Sequence, residues 1–155
     1  MAVELQSENG TKFPLPPRYW SFFLTLAQTC EWQPKGSSKP KGFGLFKTWN
    51  GNYESSDGQK VTAQDALELG KGLNRCYYSM HCMKIMQSVA QNVEAEVQKQ
   101  TGLIIPEEMR IKVSEELIES LGKLMAFTYQ GAFSILYSSE YRSCKSGVQV
   151  NLHTF

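Results

Sequence analysis

Apolar side chains recur at helical spacing in three parts of the chain. The first is residues 17–30, which predict an amphipathic helix with a buried aromatic face. The second runs over residues 62–100 and predicts either one long helix or two helices broken near residues 79–82. The third is residues 114–129, with Ser114 as the N-cap. The positions expected to face the core are Trp20, Phe23, Leu24, Ala27, Ala66, Leu69, Leu73, Cys76, Tyr77, Met80, Met83, Met86, Val89, Ala90, Val93, Val97, Leu117, Leu121, Leu124, Met125 and Thr128.

Local signals mark the ends of the second helical segment. The Thr62 hydroxyl can accept a hydrogen bond from the Asp65 amide, and the Asp65 carboxylate can reach back to complete a short capping box. Gly102 stands where a C-cap glycine is expected. Gly70 and Gly72 each cost about 1 kcal/mol relative to alanine inside a helix, so they predict either a close packing contact or a bend.

Residues 1–16 are predicted to form a hairpin arm. Apolar and polar side chains alternate near the N-terminus, and Asn9-Gly10 is a strong turn signal between two short strands. Pro14 is expected to end the regular pairing because its ring removes a backbone donor. Pro17 then suits the first turn of the helix that follows.

The predicted fold is mainly α, a single compact domain of three to four helices with a small sheet. The sheet is expected to combine the N-terminal hairpin with short strands after Gly131, at residues 133–136 and 148–152. The expected layout is a single domain over residues 1–155, a hairpin arm over 1–16, a long aromatic and basic loop over 31–61, and a mobile tail over 138–155.

Composition places few limits on function. Sixteen lysines and arginines balance fifteen acids in 155 residues, giving a formal net charge of +1, so overall charge does not favour nucleic acid or acidic membranes. No stretch approaches the roughly 18 apolar residues of a membrane span, and no basic segment followed by an apolar run opens the chain. We expect a cytoplasmic protein that folds without a cofactor and does not contact a membrane.

The cysteines form no recognisable metal or redox motif. Cys30, Cys76, Cys82 and Cys144 lack CxxC spacing, and we expect four free thiols. On one continuous helix Cys76 and Cys82 would lie about 120° apart around the axis, so they are not expected to share a face. His81 lies between them, but structural zinc needs four nitrogen or sulfur ligands at characteristic spacing, and we expect no metal site.

The loop over residues 31–61 combines basic and aromatic side chains. Between Gln33 and Tyr53 the loop contains four lysines and no acid, which gives this stretch a local charge of +4. Lysines interleaved with rings suit phosphate contact and base stacking, whereas rings turned toward the core would leave only a solvated loop. The candidate binding residues are Lys35, Lys39, Lys41, Lys47, Trp49, Tyr53, Asp57 and Gln59.

An ordered set of short motifs resembles a known group of proteins. The motifs are Trp20-x3-Leu24-x2-Ala27, Trp32-x-Pro34-x-Gly36, Trp49-x-Gly51-x-Tyr53, Gly58-Gln59-x-Val61, Asp65-Ala66 and Gly131-x-Phe133-x-Ile135. They resemble a group of small bacterial proteins with no assigned activity that share a GW-x-P-x-GT loop, a W-x-G-x-Y-x-x-N-x-GQ-x-V turn and a DA-led helix. Glu31, Ser37 and Ser56 depart from that pattern. The resemblance implies one compact domain of bacterial or phage type and transfers no mechanism.

Three functions are compatible with the sequence. We expect a non-catalytic binding or regulatory module that acts through protein contacts, using the basic loop or a helix face. The alternatives are a small enzyme or nucleotide or sugar binder with a pocket near Trp49, Tyr53, Asp57 and Gln59, and a nucleic-acid binder using residues 35–47. No GxSxG, P-loop, GxGxxG or HExxH pattern is present, and we name no catalytic residue. A homo-oligomer is compatible with all three.

Overall fold

The computed structural model describes residues 2–35, 53 and 58–138. In these residues the chain is mainly α with a small antiparallel sheet, which confirms the predicted fold class. The elements in chain order are β1 (Ala2–Ser7), β2 (Lys12–Leu15), α1 (Pro17–Thr29), β3 (Gln59–Val61), α2 (Ala63–Tyr77), α3 (Cys82–Thr101), a 3₁₀ turn (Glu107–Met109), α4 (Glu115–Thr128) and β4 (Phe133–Ser138). None of these helices is long and apolar enough to cross a membrane. The predicted strand at 148–152 lies outside the described residues, as does the predicted tail apart from Ser138, which is the last residue of β4.

The described strands form one sheet in the order β2-β1-β4-β3, and all neighbours are antiparallel. The register sets Leu5 opposite Phe13 on one side and Ile135 on the other, and Ile135 opposite Gln59. Directly opposed side chains share a face of the sheet, and this row lies on the inner face. The sequence predicted that the residues of β3 belong to the end of the long loop, and this prediction is wrong because they pair with β4.

The N-terminal hairpin is confirmed, but the prediction that Pro14 ends its pairing is wrong. Pro14 lies within β2, opposite Glu4. β2 lies at the edge of the described sheet, where proline is tolerated because one side of the strand has no neighbouring strand among the described residues to accept a backbone N–H bond. In the turn, Gly10 has φ +91° and its amide donates to the Ser7 carbonyl at 3.0 Å.

The second helical segment consists of two helices. α2 ends at Tyr77 and α3 begins at Cys82, whose amide donates to the Ser79 carbonyl at 3.2 Å in the intervening turn. The break changes which side chains face the core. Met80 and Met83 were predicted to be buried, but they are 96% and 46% exposed.

Two glycines allow α2 to approach its neighbours closely. A Cβ atom at Gly70 would lie 2.4 Å from Thr128 Oγ1 of α4, and one at Gly72 would lie 2.9 Å from the Trp32 Cβ. Neither position has room for a side chain without a shift of the neighbour. The close-packing alternative for these two glycines is therefore confirmed.

Aromatic rings join α1 and α4 to the inner face of the sheet. The Trp20 ring meets the Phe133 ring edge to face, with centroids 6.3 Å apart. Phe127 of α4 lies 5.5 Å from Phe133 and 5.6 Å from Phe13 between ring centroids. Trp20 is buried, as predicted. These contacts place α1 and α4 over the sheet around one core.

α3 is anchored mainly by its first half. Met86, Val89 and Ala90 are its buried residues. Val97, in the second half, is 42% exposed, so the prediction that it belongs to the core is wrong. The second half of α3 consequently presents apolar side chains at the surface, beside the start of α1.

Candidate functional site

The first turn of α2 holds a buried carboxylate. Asp65 accepts hydrogen bonds from Trp32 Nε1 at 3.2 Å, from the Lys35 backbone amide at 3.1 Å and from the Tyr53 hydroxyl at 2.5 Å. The predicted N-cap is confirmed, because the Asp65 amide donates to Thr62 Oγ1 at 3.1 Å. The predicted return bond of a capping box is wrong, since the carboxylate turns inward to these donors.

Further contacts hold Tyr53 in place. Its ring stacks on Trp32 with centroids 6.3 Å apart and planes 24° apart, and its carbonyl accepts from Trp20 Nε1 at 2.9 Å. Tyr53 has φ +63°, a conformation that costs about 1–3 kcal/mol for a residue with a side chain. We call Trp20, Trp32, Lys35, Tyr53 and Asp65 the Asp65 anchor. Its bonds stabilise residues 32–35 and 53 against α1 and α2, which is a structural role.

The structure describes three of the eight candidate binding residues. Lys35 has an exposed side chain and contributes its backbone amide to the anchor, whereas Tyr53 and Gln59 are buried. The anchor therefore brings Lys35 and Tyr53 together at Asp65. The candidates that lie outside the described residues are Lys39, Lys41, Lys47, Trp49 and Asp57.

Gln59 is a polar residue on the inner face of the sheet. It is 1% exposed, and neither Nε2 nor Oε1 has a hydrogen-bond partner among the described residues. A buried amide without partners costs about 1–3 kcal/mol. Because the amide is enclosed, it offers no surface on which a macromolecule could dock.

The break between α2 and α3 brings cysteines together, so the prediction that Cys76 and Cys82 lie on separate faces does not hold. The Cys30 and Cys82 thiols lie close enough to the Cys76 thiol to affect its pKa, and the Cys82 thiol itself donates to the Met86 sulfur at 3.5 Å. Burial, reinforced by these thiols, raises the pKa of Cys76, and burial also raises the pKa of Cys82. A protonated thiol is a poor nucleophile and a poor metal ligand. Cys30, Cys76 and Cys82 are free, and Cys144 lies outside the described residues.

The described residues also contain no group of three histidine, cysteine or acidic side chains arranged to hold a metal ion. The three clustered thiols instead pack as small apolar groups at the meeting of three helix ends.

An apolar groove of about 540 Å³ lies beside the second half of α3. One wall carries Val93 and Val97 of α3, and the segment after α3 supplies Leu103 and Ile104, which are 70% and 81% exposed. We call this feature the α3 groove. Its lining residues are Pro17, Arg18, Val93, Glu94, Val97, Thr101, Leu103, Ile104, Ile105, Pro106 and Ile111.

Local sequence signals explain how the groove forms. Gly102 ends α3 in the left-handed conformation, with φ +73°, and its amide donates to the Gln98 carbonyl at 2.8 Å. Pro106 lacks an amide hydrogen, so the helix cannot resume through it. The Glu94 carboxylate then accepts from the Ile111 amide at 2.8 Å, which holds the returning chain against α3. The apolar residues between these points are left at the surface.

Sequence reasoning missed the α3 groove. It placed Val97 in the core and assigned no functional role to residues 103–106. A signal was present, because an apolar run directly follows the C-cap glycine at a position where connecting segments are usually polar.

Comparisons with protein-family models, with curated proteins and with solved structures find no match to this chain. The resemblance to the group of small bacterial proteins therefore stays a prediction.

Proposed function

We propose that this protein is a small, cytoplasmic, non-catalytic binding module of bacterial or phage type that docks a segment of another protein in the α3 groove. The observation that carries the proposal is the joint exposure of Val97, Leu103 and Ile104 along one groove. Burying a side chain of this size is worth about 1.5–3 kcal/mol. Contiguous exposed apolar patches commonly mark interaction sites.

The geometry of the groove suits an amphipathic helix from the partner. Val93 and Val97 are one helical turn apart on α3, and Leu103 and Ile104 extend the apolar surface beyond the end of that helix. A partner helix with apolar residues at successive turns could bury its apolar face against both parts of this surface. Recognition of this kind is a recurring mode of peptide binding.

The rival functions have less support in the described residues. The nucleic-acid alternative depends on Lys35, Lys39, Lys41 and Lys47, and of these the structure describes Lys35 alone, with an exposed side chain. A nucleotide or sugar pocket would use Tyr53 and Gln59, but both side chains are buried, and Tyr53 is committed to Asp65. The groove is therefore the stronger basis for a function.

Peptide selection tests the proposal. Random peptides of about 16 residues, long enough for about four helical turns, would be displayed on phage and selected on the wild-type protein. Recovered peptides would then be titrated against wild type, Ile104→Asp and Met80→Asp. Ile104→Asp places a charge in the apolar lining and is expected to weaken binding about tenfold or more.

Met80→Asp is the matched control, because Met80 is also a highly exposed apolar residue but does not line the groove. It is expected to change the affinity by less than about twofold, in line with the small effect of most surface substitutions. Recovery of no peptide contradicts the proposal, as do peptides that bind Ile104→Asp as tightly as wild type.

A further inference from the structure

The α3 groove has a positive edge. Arg18, the second residue of α1, lines the groove and is exposed. Its guanidinium lies 5.4 Å from the centroid of the Tyr19 ring, and it forms no ion pair among the described residues. The charge on Arg18 is therefore available to a partner in the groove.

The start of α1 adds to this positive charge. Pro16 occupies the N-cap position and provides no side-chain hydrogen bond, and the first turn of α1 contains no acid. The amide end of a helix carries a partial positive charge that acidic groups usually offset. Here Arg18 and the uncapped helix end have the same sign on one edge of the groove.

Glu94 is the acidic residue of the lining, and it is already engaged. Its carboxylate accepts a hydrogen bond from the Ile111 amide, and the residue lies where the α3 groove borders a second cavity, which Glu107, Arg110 and Lys112 also line. Glu94 therefore holds residue 111 against α3, whereas Arg18 forms no comparable bond within the described part of the chain. Glu94 keeps its negative charge on the α3 side of the groove, whereas the charge of Arg18 at the α1 edge has no ion-pair partner among the described residues.

We propose that the segment bound in the α3 groove is an apolar protein segment that carries a carboxylate, from Asp, Glu or its own C-terminus, placed against Arg18 and the start of α1. This inference rests on the proposed function and names the chemistry of its partner. The apolar residues supply the affinity, and the carboxylate fixes the direction in which the segment lies.

A double-mutant cycle on the selected peptides tests the inference. The carboxylate of a recovered peptide would be changed to the amide, and both peptides would be titrated against wild type, Arg18→Gln and Arg18→Lys. The amide change is expected to weaken binding to wild type about three- to tenfold and binding to Arg18→Gln less than about twofold. Arg18→Lys retains the charge and is expected to restore most of the difference. Added salt should weaken the acidic peptide more than the amide peptide.

The outcomes separate this inference from the proposed function. The inference is contradicted if the peptides that bind the groove carry no carboxylate. It is also contradicted if changing the carboxylate to the amide weakens binding to Arg18→Gln as much as binding to wild type. Both results leave the proposed function intact. Recovery of no groove-dependent peptide overturns both. If the protein sediments as a dimer that Ile104→Asp dissociates, the occupant is a second copy of the chain and the inference is wrong.

Discussion

Replacing Asp65 with alanine is expected to lower the melting temperature by about 10 °C. The substitution removes the acceptor shared by Trp32 Nε1, the Tyr53 hydroxyl and the Lys35 amide. Each buried donor left unpaired costs about 1–3 kcal/mol, so a total of about 3–4 kcal/mol is expected after partial relaxation. In a chain of this size 1 kcal/mol corresponds to about 2–4 °C. Thermal unfolding followed by circular dichroism measures the effect.

Two further variants distinguish the loss of stability caused by removing the buried acceptor from the loss caused by removing any charge on α2. Glu68→Ala removes a carboxylate that is partly exposed and lies 3.5 Å from the Lys71 ammonium, and it is expected to shift the melting temperature by less than about 2 °C. Asp65→Asn keeps the shape and one acceptor oxygen, so its effect should fall between the other two. A melting temperature for Asp65→Ala close to that of Glu68→Ala would show that the anchor contributes little.

Replacing Gly70 with alanine is expected to destabilise the protein by about 2 kcal/mol, although alanine is the better helix former by about 1 kcal/mol. The new Cβ would lie 2.4 Å from Thr128 Oγ1 and 3.4 Å from Tyr129 Cε2. Thr128 cannot move freely, because it is buried and its hydroxyl donates to the Met125 carbonyl at 2.7 Å. The cost therefore includes separating α2 from α4. Urea unfolding at constant temperature measures the difference.

Gly122→Ala is the matched control in α4. A Cβ atom at Gly122 meets no described atom within 4 Å, so the same substitution there is expected to stabilise the protein by about 0.5–1 kcal/mol. Adding Thr128→Ala to Gly70→Ala should recover part of the lost stability. Equal stabilisation by Gly70→Ala and Gly122→Ala would contradict the close packing of α2 on α4.

Features fixed by neighbouring residues could be predicted from the sequence. The Thr62 cap, the Gly102 C-cap and the Ser114 cap each depend on residues within one helical turn, and all three are present. The hairpin turn at Gly10 also depends on neighbouring residues, because its backbone has a positive φ that glycine adopts readily.

Features that depend on distant residues could not be predicted in this way. β3 is three residues long and owes its pairing to β4, far along the chain. Asp65 was a plausible capping residue, and its inward turn depends on donors from Trp32 and Tyr53. Periodicity was also misleading across the α2–α3 break, where it assigned Met80 to the core.

The candidate site shows the same limit. Composition drew attention to the basic and aromatic loop, but Tyr53 and Trp32 are buried parts of the anchor. The α3 groove combines the start of α1, one face of α3 and the segment after Gly102, and only the folded chain brings these together. In the sequence, its residues in α1 indicate only a helix start, and those in α3 indicate only a core stripe.

Binding in the α3 groove is tested most directly by titrating the intact protein with a selected peptide and recording ¹⁵N–¹H correlation spectra, which show the backbone amides that the peptide affects. The largest shifts are expected on residues 93–105 and at Arg18, and Ile104→Asp is expected to reduce them strongly at the same peptide concentration. Shifts concentrated elsewhere, or unchanged in Ile104→Asp, would contradict the assignment of binding to the α3 groove.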